Sequence, residues 1–139
     1  MSRIIVIEPH PDDAFLSLGW HLLKEWEERE RVIVTVYADA RREKEAEAYA
    51  RAVGAASIVL GLAESNMASG GPIKPVEALR DVLAALVEEG DTVIFPLGLQ
   101  HPDHLRVAAT RLPGALRYLD TPYQTKKKLI PEMNRRTQG

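Results

Sequence analysis

Short, β-branched apolar runs alternate with amphipathic stretches along this chain, and that alternation constrains its fold more than any other feature. "RIIVIE" (residues 3–8) is short and apolar, which fits a strand buried on both faces. From about Asp13 to Glu30, Phe15, Leu18, Leu22 and Trp26 recur at spacings of three and four, which predicts a helix. "KEWEERER" supplies its charged outer face. "RVIVTVYA" (31–38) reads as a second strand, and "RREKEAEAYARAVGA" (41–55) as a helix stopped by Gly54. "ASIVLGL" (56–62) is a third strand, followed by a polar, Gly/Ser-rich loop at 63–74. "PVEALRDVLAALVEEG" (75–90) opens on Pro and closes on Gly, as helices often do. "DTVIFPL" (91–97) supplies a fourth strand, 101–112 a further helix and "ALRYLD" (115–120) a fifth strand. The predicted class is therefore α/β, a mostly parallel sheet between two helical layers. Right-handed crossovers make the sheet doubly wound, in strand order 3-2-1-4-5.

At 139 residues, 45% hydrophobic and 27% charged, the chain reads as a single globular domain, 1–139, with a polar basic tail at 121–139. A net charge of −2 gives no electrostatic case for nucleic acid or an anionic membrane as partner. No apolar run reaches the roughly 18 residues of a membrane span, and nothing resembles a secretory leader, so the expected location is cytoplasmic. Cysteine is absent. Disulfides, thiolate nucleophiles and Cys-type zinc sites are thereby excluded, and any metal must be held by His and carboxylate.

Polar residues gather where the first and fourth strands end. In the predicted order these strands are neighbours, and ligands of such sheets bind in the crevice at their carboxyl ends. "PHPDD" (9–13) follows strand one and "HPDH" (101–104) follows strand four, so the two clusters should face each other. Either motif alone also reads as ordinary turn and cap residues. Three of the chain's four histidines lie within the pair, however, and this favours a shared metal site. A catalytic zinc site uses about three protein ligands from His and Asp/Glu and keeps one position for water. His10 and Asp13 can point at one ion across the Pro11 turn, with Asp12 directed towards its water. His101 and His104 share the same i, i+3 spacing; one can complete the shell while the other serves acid or electrostatic work. Asp103 is placed to orient a histidine through its second ring nitrogen.

"PHPDD" followed by "HPDH" resembles the PIG-L/LmbE-like family of zinc-dependent N-deacetylases, over about residues 3–123. "RREKEAEAYARAVG" is similar to a family helix, and "YLDTPY" to a late aromatic segment. The resemblance implies a Rossmann-like fold and removal of an acetyl group from an amino-sugar-type substrate. It implies one Zn2+ per chain, held by His10, Asp13 and His104, with Asp12 as general base. A cationic His101 would stabilise the oxyanion or protonate the leaving amine, and Arg42 would contact the substrate. The family's usual residues differ at Glu8 (small), Ala14 (Glu), and Ser17 and Trp20 (both Gly). Leu99 stands where some members carry a polar group, and Glu64 is the nearest match to a sugar-contacting acid after the third strand.

Other features read plainly. Arg42 pairs equally well with Glu45 at i, i+3 on a solvated helix face. His21 lies inside the first helix and reads as a surface or boundary residue. "SGGP" (69–72) reads as a turn, a lid being the other reading, and no phosphate-cradling glycine motif occurs. "KKK" (126–128) is a solvated tail, or a stretch packed in a homo-oligomer. The reading that follows is a metal-dependent amide hydrolase acting on a small N-acetylated molecule. The alternative is a non-catalytic metal-binding α/β module, a shortened relative of the deacetylases.

Overall fold

Residues of β1 (Ile4–Glu8) point alternately to two apolar layers, and all five are buried. Ile4 and Val6 join the layer that holds α1 (Asp13–Trp20) and α2 (Ala40–Ala52). Ile5 and Ile7 join the layer of α3 (Val76–Leu86) and α4 (Pro102–Ala109). A strand covered on both sides can carry a continuous apolar run, which is why "IIVIE" has no polar face. The computed structural model describes residues 2–62, 76–99 and 101–120. The loop at 63–74, with Glu64, and the tail at 121–139 lie outside them.

Around β1 the other strands are β2 (Arg31–Tyr37), β3 (Ala56–Leu62), β4 (Thr92–Pro96) and β5 (Leu116–Tyr118). Together they form one five-stranded sheet in the order β3-β2-β1-β4-β5. Every pairing is parallel. Val6 pairs with Ile94 and Glu8 with Thr35, so the carboxyl end of β1 lies between those of β2 and β4. This is the predicted class and order. Among the described residues no helix is long and apolar enough to cross a membrane.

The first helix departs from the expected continuous run to Glu30. It is α-helical only as far as Trp20 and continues as a π-helical turn at His21–Glu25, where the Trp26 N–H donates to His21 O at 2.8 Å. The cause is in the spacing. Leu18, Leu22 and Trp26 are separated by two steps of four, which outrun 3.6 residues per turn; a wider turn keeps them over the sheet.

Candidate metal centre

Three histidine rings meet the carboxylates of Asp13, Asp103 and Asp120 at the carboxyl ends of β1 and β4, with Asp12 beside them. His10 lies in the turn after β1, while His101 and His104 belong to the cap and first turn of α4. The ring of His10 lies 4.8 Å from that of His101 and 5.4 Å from that of His104, centroid to centroid. His10, Asp13 and His104 each offer a ligand atom, and these atoms lie within 4.8 Å of one another. His10 Nδ1 approaches Asp13 Oδ2 at 3.7 Å, and His104 Nε2 approaches the same oxygen at 3.3 Å. All three residues are buried.

The donor set fits a metal ion. Asp13 Oδ1 is buried with no hydrogen-bond partner among the described residues, a costly arrangement that a cation would relieve. Two imidazoles and a carboxylate suit zinc and leave a coordination position over. The second grouping, His10, His101 and Asp103, reads differently. Asp103 Oδ2 already accepts a hydrogen bond from His10 Nε2 at 2.8 Å, a contact that fixes the His10 ring.

Local structure decides where each acid points. Asp12 is the N-cap of α1 but makes no side-chain cap bond, so the cap reading fails for it. One of its oxygens, Oδ1, is buried without a hydrogen-bond partner among the described residues. Burial, then the adjacent charge of Asp13, pushes the Asp12 carboxyl above its ordinary range, while Arg42 pulls the other way. Arg42 thus exerts its field on Asp12, and it also meets Glu45 at 3.4 Å on the face of α2. His101 does cap a helix, its Nδ1 accepting from the Asp103 N–H at 3.1 Å.

The surroundings of His101 disfavour its charged form. Burial, followed by the charges of His10 and His104, lowers its pKa below the ordinary 6.5. With a backbone donor on Nδ1, the ring nitrogen left to carry a proton is Nε2.

Two buried acids escaped the sequence reading. Asp120 Oδ2 accepts from His104 Nδ1 at 2.7 Å. Its position at the carboxyl end of the predicted fifth strand (115–120) was the available signal, because that strand is the neighbour of the fourth. Glu8 shares its face of β1 with Ile4 and Val6; it accepts from the Ala14 N–H at 2.9 Å and the Thr35 hydroxyl at 2.6 Å. His21 lies away from the cluster, paired with Glu25 and stacked on Trp26, as expected of a boundary residue. An open groove of about 470 Å³, lined by Glu47, Arg51, Gly54, Ala55 and Ser57, shares no residue with the site.

No family model matches the chain, and no curated protein does. Solved structures share its fold, two of them at 23% identity. One is an N,N'-diacetylchitobiose deacetylase from Pyrococcus horikoshii, at a TM-score of 0.63 and 23% identity over 78% of this chain. The chain spans 47% of that enzyme's length. The other is the conserved protein TT1542 from Thermus thermophilus, at a TM-score of 0.60 and 23% identity, covering 89% of this chain and 69% of that one. The five-stranded parallel sheet is thus a deacetylase-like α/β fold, with a His/Asp cluster able to hold a metal ion.

Proposed function

We propose that this chain is a zinc-dependent hydrolase that removes an N-acetyl group from a small amino-sugar-type molecule. The observation that carries the reading is the convergence of His10, Asp13 and His104 within 4.8 Å, beside a half-buried carboxylate, Asp12, that makes no cap bond. Likeness in fold to a diacetylchitobiose deacetylase supports the substrate class.

A bound zinc ion would supply Lewis acidity towards the amide carbonyl and towards an attacking water. The chain's own groups do the rest. Asp12 accepts a proton from the water and returns it to the amine nitrogen as the C–N bond breaks. Its raised pKa brings it closer to the strength a base needs near neutrality. His101, with its proton on Nε2, donates to the oxygen of the tetrahedral intermediate as negative charge develops there. Asp103 fixes the His10 ring, and Arg42 stands near Asp12 at the start of α2, where it meets substrate. Acetate and a free amine leave.

The test is acetate release from N-acetylglucosamine, diacetylchitobiose and related amides, with and without chelator. Activity should vanish with chelator and return with zinc, and Asp12→Ala should lower it about 10²–10⁴-fold. A fully active Asp12→Ala contradicts the mechanism. The second reading is a metal-binding module without turnover. Tight zinc with no hydrolysis of any amide in the panel selects it.

A further inference from the structure

Strand β5 runs up to the metal cluster and delivers a fully buried carboxylate, Asp120, two residues beyond Tyr118. Three donor groups meet this one acid. The Gly98 N–H lies 3.0 Å from Oδ1 and 3.2 Å from Oδ2, the Leu99 N–H lies 3.0 Å from Oδ2, and His104 Nδ1 lies 2.7 Å from Oδ2. Consecutive amides aimed at one point form an anion-binding concavity.

The backbone is shaped for this. Gly98 has φ +89°, and a Cβ there would lie 2.7 Å from Ala108 Cβ on α4. Only glycine lets the chain leave β4 in this conformation while pressed against α4. The Leu97 N–H donates to Tyr118 O at 2.8 Å, which ties the turn to β5. Asp120 is therefore held by the backbone before it meets His104.

Its chemistry then dictates the ring. An ionised carboxylate only accepts, so its contact with the ring requires a proton on His104 Nδ1. The Nε2 lone pair is left to face Asp13 Oδ2, 3.3 Å away, where an ion would bind. We propose that Asp120, gripped by the amides of Gly98 and Leu99, is a positioning residue for His104: it selects the ring's tautomer and orientation and thereby sets metal affinity. This rests on the metal-centre reading above, and its reach goes further, because it makes the end of strand β5 part of the binding site.

The experiment measures zinc affinity of the full chain by chelator competition, comparing wild type with Asp120→Asn and with Glu47→Ala in the distant groove. Asp120→Asn should weaken zinc about 10–100-fold with an unchanged circular dichroism spectrum, and Glu47→Ala should leave affinity unaltered. Long-range proton–nitrogen spectra of the zinc-loaded wild type supply a readout that needs no variant: His104 should carry its proton on Nδ1. Wild-type affinity in Asp120→Asn overturns the proposal while leaving the metal centre intact, and a proton on Nε2 of His104 in the zinc-loaded chain overturns it together with that nitrogen's place among the ligands. A wild-type chain that binds no zinc removes the metal centre itself and this inference with it.

Discussion

Each proposed histidine ligand has its second nitrogen on a buried carboxylate, His10 on Asp103 and His104 on Asp120. Such pairing makes the rings better ligands and also better bases. For His104 the balance is explicit. Burial opposes a charge, but the hydrogen bond to Asp120 and the approach to Asp13 outweigh it and raise the pKa to about 9. Without metal the ring is then protonated at neutral pH, and a metal ion must displace that proton. Zinc affinity should therefore rise about tenfold per pH unit from about pH 6.5 and level off near pH 9, with proton release detectable by calorimetry in two buffers. An affinity independent of pH over that range would show that His104 is not the group giving up the proton. His10 and Asp13, with one of His101 and His104, were legible because strand order and motif position brought the two clusters together; the choice of His104 came from the family resemblance. Asp120 was not legible: its contact with His104 is tertiary, and a lone Asp at a strand end has many ordinary uses.

At the level of elements, Glu8 is the residue that local pattern hides. A doubly covered strand gives no polar phase against which to notice it, and the acid lies on the same face as Ile4 and Val6. Burial, opposed by its bonds from Thr35 and Ala14 and aided by the charges of Asp13 and Asp12, raises its pKa to about 8. The unfolded chain releases this proton near 4.5, so between those values the folded state binds more protons and stability falls as pH rises. Glu8→Gln keeps the hydrogen-bonding shape and removes the titration. It should match wild type near pH 4.5 and exceed it at pH 8 by on the order of 1–3 kcal/mol in denaturant unfolding. Parallel stability profiles for the two proteins would mean that Glu8 is ionised in the folded state. The π-helical turn at His21–Glu25 belongs to this scale too. Its signal, two successive steps of four, is too close to the α-helical period to separate from it by eye.

Over the whole molecule, the sheet order converts two short motifs, 88 residues apart in the sequence by their closest ends (Asp13 to His101), into one cluster. The order was legible because five apolar runs alternate with helical stretches, and few chiral, unknotted topologies remain once that is known. Side-chain pairing was less legible, since it depends on distances that periodicity does not encode. A metal ion held by His10, Asp13 and His104 would join the turn after β1 to α4, and the mechanism, the Asp120 latch and the pH dependence all presuppose it. The direct test is elemental analysis of the full chain purified without chelator, beside His104→Ala. About one zinc per chain in the wild type, lost in the variant, is the expected result. A wild-type chain without metal, or a His104→Ala chain that keeps its full complement, contradicts the account.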